Sequence, residues 1–237
     1  MVKKRWDELT HSSTRSYSFR QKYIMGPFHK LASFSPWYDQ NAVLRFQEQL
    51  GETYREWLAG STVLEIGCGP GYLSRDCMET YGSKLYIGAD YSVGMVKDAK
   101  SQYGNFNFVY FINADTFSLP FADNSFDVVL SIALFHHLKP EMRGQAIREQ
   151  SRVARRALIT IDPFGFEPGF WCYPYRIYYT WADGSYYRYT RREWLAMFRS
   201  LNIKVVKIIH TSEHTILHRM ICLVSLAGEE GDHETVE

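Results

Sequence analysis

The sequence predicts an α/β fold, a doubly wound sheet of mainly parallel strands with helices on both faces. Short apolar runs of strand length alternate along the chain with segments of helical spacing, a pattern typical of βαβ units. The first run, Thr62 to Ile66, leads into three glycines at alternate positions, Gly67, Gly69 and Gly71. With 237 residues, 46% of them hydrophobic, the chain is long enough for one domain with a sizeable core.

Composition narrows the function classes. The formal net charge of +1 at pH 7 argues against a strongly electrostatic partner such as nucleic acid. The four cysteines are scattered without a C-x-x-C pair, so they predict free thiols and no metal site. No run approaches about 18 consecutive apolar residues, and the basic first residues lead into no signal-peptide core. We therefore expect a cytoplasmic protein without a membrane span.

The glycine turn is the most informative local motif. Glycine reaches positive φ and lets a ligand approach the backbone closely. The dinucleotide pattern G-x-G-x-x-G is not matched, because the third glycine comes one residue early and Tyr72 fills its slot. The stretch instead resembles the E-x-G-x-G-x-G signature of class I S-adenosylmethionine-dependent methyltransferases. That resemblance implies S-adenosylmethionine as cofactor, S-adenosylhomocysteine as its product, and cofactor contacts from Glu65, Gly67, Cys68, Gly69 and Gly71.

The second strand ends at an acidic residue. Asp90 follows the strand Lys84 to Ala89, and a carboxylate there can accept hydrogen bonds from both hydroxyls of a ribose. The resemblance assigns this role to Asp90, with Tyr91 beside it. A surface Asp that caps the next helix is the alternative.

A third strand, Phe106 to Ile112, leads into a loop that resembles the family's D-A-x-x-L-P-F passage, and 123–129 resembles its D-x-S-F-D-V-V turn. An acid in this loop can accept a hydrogen bond from the exocyclic amine of adenine. The resemblance assigns further cofactor contacts to the ends of strands three and four, at Ala114, Asp115, Thr116, Ser131 and Ile132.

Two histidines follow the fourth predicted strand, Phe126 to Ile132, as in the H-H-L ending of many family members. His136 and His137 fall beyond the carboxyl end of that strand, where a histidine can remove a proton at neutral pH. They are the candidate catalytic residues. The alternative, which we weight more heavily, is a histidine that hydrogen-bonds the loop and closes the cofactor pocket. Because adjacent histidines are not expected to point the same way, His136, nearer the strand, is the better candidate.

The segment after the fifth strand is unusually aromatic. A helix is predicted over Pro140 to Arg156, with its arginines, Arg143 among them, on an outer face, and a strand over Ala157 to Ile161. Phe164 to Tyr189 then holds twelve aromatic residues, where the family commonly builds its substrate cap. These rings either pack the cap onto the sheet or form walls for an apolar or aromatic substrate. The candidate substrate-binding residues are Trp171, Tyr175, Tyr178 and Tyr187.

The resemblance implies one methyltransferase domain over 1–237, with a seven-stranded sheet whose strand seven is antiparallel. Its expected parts are an N-terminal helical segment, a cofactor-binding core, a substrate cap, a closing helix with strands six and seven, and an acidic tail, over 1–60, 61–162, 163–189, 190–227 and 228–237. The expected activity is methyl transfer to oxygen or nitrogen of a small molecule. A methyltransferase acting on RNA or protein is one alternative, supported by a basic N-terminus; a cofactor-binding protein without transfer activity is the other.

Overall fold

The computed structural model describes residues 40–163, 189–211 and 220–230. The predicted aromatic cap, apart from its first and last residues, and most of the N-terminal segment lie outside these residues. Helices and strands alternate through the described chain. Their bounds are α1 Gln40–Leu58, β1 Thr62–Ile66, α2 Leu73–Arg75, β2 Leu85–Asp90, α3 Val93–Tyr103, β3 Val109–Asn113, β4 Phe126–Ile132, α4 Pro140–Val153, β5 Ala154–Pro163, α5 Arg191–Ser200, β6 Ile203–His210 and β7 Met220–Glu230.

The strands form a seven-stranded sheet in the order β3-β2-β1-β4-β5-β7-β6. β1 to β5 are parallel, whereas β7 is antiparallel to both of its neighbours, β5 and β6. The direction of winding reverses between β1 and β4, and open α/β sheets bind ligands in the crevice outside the carboxyl ends of such strands. The predicted fold class, including the antiparallel strand seven, is confirmed.

Each face of the sheet has its own apolar core. On one face, α1, α3 and the turn after α2 pack on strand residues such as Val63 and Leu130. On the other face, α4 and α5 pack on Leu64 and Val129, with Trp194 and Phe198 fully buried. Successive strand residues point to opposite faces, so each central strand is apolar on both sides. Helices on both faces hold the sheet rigid and fix the positions of the loops at its carboxyl edge.

The predicted boundary between α4 and β5 is wrong. The helix ends at Val153 and β5 begins at Ala154, so the two arginines that follow belong to the strand. Ala154 pairs with Phe126 of β4, and Arg155 forms an ion pair with Asp127 of the same strand. Pairing with the neighbouring strand thus overrides the local helical preference of this segment.

The predicted outward position of Arg143 is also wrong. Its side chain is buried, the Nε group donates a hydrogen bond to the carbonyl oxygen of Leu138, and the guanidinium lies 3.2 Å from the ring centroid of Tyr189. A buried guanidinium needs such partners because its desolvation is costly. Arg143 therefore ties α4 to the segment before α5.

Two further elements differ in detail from the prediction. β3 begins at Val109, three residues later than expected, since Phe108 has a φ of +61° that extended backbone does not allow. The helix expected over Tyr72 to Tyr81 has a single α-helical turn, after which Asp76–Thr80 forms a π-helical turn. Such turns are uncommon and often lie near functional sites.

Candidate active site

The glycine turn is fixed to the end of β2 by hydrogen bonds. The backbone N–H groups of Gly67 and Cys68 both donate to the carbonyl oxygen of Ala89, at 2.8 and 3.1 Å. The N–H of Gly69 donates to Oδ2 of Asp90, at 2.9 Å. The turn and the second strand therefore form one unit at the carboxyl edge of the sheet.

Two of the glycines have different physical reasons to be glycine. Gly71 has a φ of +80°, and a Cβ there would lie 2.7 Å from the ring of Phe111, so the position is closed to side chains. Gly69 has a φ of +52°, but a Cβ there would have no atom within 4 Å. Gly71 thus packs the turn onto β3, while the backbone at Gly69 borders open space.

Both carboxylate oxygens of Asp90 accept hydrogen bonds from nearby backbone N–H groups. Besides the N–H of Gly69 at Oδ2, the N–H of Ser92 donates to Oδ1 at 2.8 Å. Burial raises the pKa of Asp90, and these two hydrogen bonds act in the opposite direction. Carboxylate oxygens have about four lone-pair sites in total, so Asp90 retains acceptor capacity for a ligand. The exposed neighbour Tyr91 is held through its carbonyl oxygen, which accepts from Asn113 Nδ2 at 2.9 Å.

Glu65 is buried within β1, two residues before the turn. The hydroxyl of Tyr86, on the neighbouring strand β2, donates a hydrogen bond to Oε2 of Glu65. The pKa of Glu65 is raised to about 8, chiefly by burial; the Tyr86 hydrogen bond acts to lower the pKa, and the charge of Asp90 adds to the increase. The buried Cys68 thiol lies close by, and its pKa is raised chiefly by burial. Glu65 is therefore a mostly neutral, buried group at pH 7.

The loop after β3 is built around Asp115 and Thr116. The N–H of Phe117 donates to Oδ1 of Asp115 at 3.0 Å, and the half-buried Asp115 thereby shapes the turn. Buried Thr116 accepts a hydrogen bond from Nε2 of Gln150 on α4, at 3.0 Å. Ala114 donates its N–H to the carbonyl oxygen of Asp90, at 3.1 Å. The loop is therefore joined to the β2 end and lies beside Asp90.

Ser131 and Ile132, the last residues of β4, lie on opposite faces of the sheet. Ser131 is fully buried and pairs in register with Ile66 of β1 and Thr160 of β5. Within the described residues, the hydroxyl oxygens of Ser131 and Thr160 make no hydrogen bond. Ile132 is half-buried against the core on the α1 side. Ser131 thus belongs to the sheet interior rather than to its surface.

The histidine turn is held by an acid that sequence reasoning missed. Phe135–His137 forms a 3₁₀ turn, in which His136 Nδ1 lies 2.7 Å from Oδ1 of Asp162 at the end of β5. The N–H of Phe135 donates to Oδ2 of the same carboxylate, at 2.7 Å. Asp162 could have been found in the sequence by the pattern that indicated Asp90, which is an acidic residue at the end of a predicted strand.

The two histidine rings lie against each other, contrary to the expected divergence. Their centroids are 4.0 Å apart with an interplanar angle of 45°. His136 is buried and His137 half-buried. The turn also abuts the glycine turn, because a Cβ on Gly67 would lie 3.2 Å from Cδ1 of Leu134.

These groups converge because β1 to β5 are parallel and end at the same edge of the sheet. The glycine turn, Asp90, Asp115, and the His136–Asp162 pair all lie there. The four aromatic candidates for substrate binding, Trp171, Tyr175, Tyr178 and Tyr187, fall outside the described residues.

In the described ranges, no cluster of three or more histidine, cysteine or acidic residues is suited to hold a metal ion. None of the helices described has both the length and the apolar character that crossing a bilayer requires.

Comparison with known proteins gives one consistent family. Residues 64–157 match the family described as "Methyltransferase domain". The chain is 29% identical over 120 residues to the malonyl-[acyl-carrier protein] O-methyltransferase of Legionella pneumophila, covering 48% of this chain and 42% of that one. It is 29% identical over 156 residues to the mouse tRNA (carboxymethyluridine(34)-5-O)-methyltransferase ALKBH8, covering 62% of this chain and 20% of that one.

Solved structures share the fold. The magnesium protoporphyrin IX methyltransferase of Synechocystis with bound S-adenosylmethionine superposes with a TM-score of 0.62 over 96% of this chain and 98% of that one, at 17% identity. The chain spans less than half the length of the two curated relatives compared above. The matched region contains the glycine turn from Leu64 onward, Asp90, Asp115 and the histidine turn. Over residues 64–157 the chain therefore matches a methyltransferase domain, and its fold is that of the S-adenosylmethionine-binding methyltransferase of Synechocystis.

Proposed function

We propose that this chain transfers a methyl group from S-adenosylmethionine to an oxygen or nitrogen of a small aromatic or apolar molecule. The observation that supports this most is the placement of a glycine turn, an acid and a buried histidine at one edge of the sheet. Leu134, the residue before the histidine turn, lies against the glycine turn, because a Cβ on Gly67 would be 3.2 Å from its Cδ1. A group bound on the glycine turn would therefore lie near the start of the histidine turn.

The residues at this edge fit the cofactor. Gly69 borders open space, so its backbone offers a surface for a close ligand. Asp90 is already oriented by the N–H groups of Gly69 and Ser92, which would spare a ribose contact part of the entropy cost of ordering the carboxylate. Asp115, in the loop joined to Asp90, is the proposed acceptor for the adenine amine. Ser131 is a weaker candidate for direct contact, because its side chain is fully buried in β4.

When bound, the cofactor supplies a methyl group on a positively charged sulfur. Methyl transfer needs the acceptor atom in line with the breaking carbon–sulfur bond, so the chain contributes mainly position and a site that excludes water. The neutral, buried state of Glu65 leaves one less negative charge beside the cofactor site. A base is required only where the acceptor loses a proton.

The case for a small acceptor rests on composition. The segment 164–188 is crowded with aromatic rings directly after β5, whose carboxyl end carries Asp162. Aromatic rings supply large apolar walls with few polar groups, as small-molecule pockets require. The near-neutral charge of the chain supports the same choice.

Transfer to RNA is the second candidate, favoured by the similarity to mouse ALKBH8 over 62% of this chain. A nucleic-acid acceptor predicts binding that weakens steeply as salt increases, because counterions are released from the phosphates. A small apolar acceptor predicts little salt dependence.

The test is a transfer assay with methyl-labelled S-adenosylmethionine and the full chain. Separate reactions contain a panel of substituted phenols and catechols, bulk tRNA, or malonyl-acyl carrier protein. We expect label in the organic extract of the phenol reactions, with a rate insensitive to salt. Label found only in tRNA or only in the carrier protein would contradict the proposal. Cofactor binding without transfer to any of the three would favour a non-catalytic role.

A further inference from the structure

Both carboxylate oxygens of Asp162 contact the histidine turn. Its Oδ2 accepts the N–H of Phe135 and its Oδ1 lies against His136 Nδ1, both at 2.7 Å. The side chains of Asp162 and His136 are only 1% and 4% exposed. Charge-assisted hydrogen bonds of this length are strong, and burial strengthens them further. The imidazole therefore has one fixed orientation.

This contact also determines which ring nitrogen carries the proton. A carboxylate only accepts hydrogen bonds, so Nδ1 must be the donor toward Asp162. In the neutral ring, Nε2 then keeps its lone pair. Within the described part of the chain, the His136 ring makes no hydrogen bond through Nε2. His136 is thus held in the tautomer that a proton acceptor needs.

In the described ranges, the contacts around the pair come from the histidine turn, β5 and α4. The ring of His137 lies on the same turn, 4.0 Å from that of His136 between centroids. Asp162 belongs to β5. From α4, Arg143 donates its Nε–H to the carbonyl oxygen of Leu138, which ends the turn. These contacts fix the turn from both sides, and among the described residues the contact with Asp162 determines the His136 tautomer.

We infer that Asp162 is a positioning residue that makes Nε2 of His136 the proton acceptor of the reaction, so that the methyl acceptor is a hydroxyl or N–H group that loses its proton. The inference rests on the proposed function and names its substrate class more narrowly. In the step, the acceptor atom forms a bond to the methyl carbon while the carbon–sulfur bond breaks. The electron pair of that bond stays on sulfur, which becomes a neutral thioether. The acceptor's proton moves to Nε2, and Asp162 stabilises the imidazolium that results.

The decisive variant is Asp162→Asn, because asparagine can keep the turn while reversing the tautomer. Its amide oxygen can still accept the N–H of Phe135, and its NH₂ group would then face Nδ1 of His136 as a donor. Nδ1 must then accept that hydrogen bond, so the proton of the neutral ring moves to Nε2. A protonated Nε2 cannot act as a base. In a serine protease the corresponding aspartate-to-asparagine change lowers kcat by about 10⁴ through the same reversal.

The first measurement needs no acceptor. Two-bond ¹H–¹⁵N correlation spectra of the ¹⁵N-histidine-labelled chain report the tautomer of His136. We expect Nδ1–H in the wild type and Nε2–H in Asp162→Asn. Asp127→Asn is the matched control, since Asp127 likewise accepts a backbone N–H, that of Thr62, but contacts no histidine in the described chain. A wild-type Nε2–H tautomer, or no change in Asp162→Asn, overturns the inference.

The second measurement uses two phenols, 4-methylphenol, which is neutral at pH 8, and 4-nitrophenol, which is already ionised there. We expect Asp162→Asn and His136→Gln to lower kcat for 4-methylphenol by about 10²–10⁴, with a much smaller loss for 4-nitrophenol and unchanged S-adenosylhomocysteine affinity. The double variant should lose no more than either single one. An equal loss for both phenols would mean that the pair only holds the turn. If the wild type methylates neither phenol, the proposed function fails for this class, and the tautomer spectra alone decide the role of Asp162.

Discussion

Glu65 is expected to make the stability of this protein fall as pH rises. Its carboxyl group is buried in β1, and its pKa in the folded chain is raised from 4.5 to about 8. Between those values the folded state holds a proton that the unfolded state has released. The free energy of unfolding therefore decreases with pH across this window and levels off above pH 8, at a limiting slope of about 1.4 kcal/mol per pH unit.

The variant Glu65→Gln should remove this dependence. Glutamine is neutral at every pH and can still accept the Tyr86 hydroxyl, whose hydrogen bond to Glu65 Oε2 is present in the wild type. Two pH units inside the window, from 5.5 to 7.5, correspond to about 2.7 kcal/mol at the limiting slope. We therefore expect the difference in the free energy of unfolding, Glu65→Gln minus wild type, to be higher at pH 7.5 than at pH 5.5, by up to about 2.7 kcal/mol.

Urea denaturation of the cofactor-free chain at pH 5.5 and 7.5 measures the difference directly. Glu48→Gln is the matched control, because Glu48 is an exposed glutamate on α1. Its effect on the free energy of unfolding should be nearly the same at both pH values. If the relative stability of Glu65→Gln were also independent of pH, Glu65 would be ionised in the folded protein, and its assignment as a neutral buried group would be wrong.

Three other substitutions test the construction of the site. Gly71→Ala should destabilise the fold by about 1–3 kcal/mol, because its Cβ would lie 2.7 Å from the Phe111 ring at a φ of +80°; an unchanged melting temperature would contradict this packing. Thr190→Ala should lower the free energy of unfolding by about 1 kcal/mol, since Thr190 and Glu193 form a complete capping box at α5; equal urea midpoints would contradict it. Asp90→Ala should weaken S-adenosylhomocysteine binding by about 1.5–3 kcal/mol in calorimetry, and an unaltered affinity would place the ribose elsewhere.

The parts of the fold that the sequence predicts are those governed by local pattern. Short apolar runs predict the strands, and the spacing of the three glycines predicts the turn after β1. Asp90 was predictable as a candidate site residue, because the end of a parallel strand and the start of a turn are both visible in the sequence.

What the sequence could not predict depends on contacts between distant residues. The partner of Glu65, Tyr86, is 21 positions away and becomes its neighbour only when β1 and β2 pair. The partner of His136, Asp162, is 26 positions away and depends on the pairing of β4 with β5. Arg143 was expected outside because charged residues usually are, yet the carbonyl oxygen of Leu138 and the ring of Tyr189 give it partners inside.

The central claim is that the carboxyl edge of β1 to β3 binds an adenosyl sulfur compound. Isothermal titration calorimetry of the purified chain with S-adenosylmethionine, S-adenosylhomocysteine and NAD, in turn, tests it most directly. We predict saturable one-to-one binding of both sulfur compounds and no heat of binding from NAD. Binding of NAD together with no response to either sulfur compound would contradict the claim.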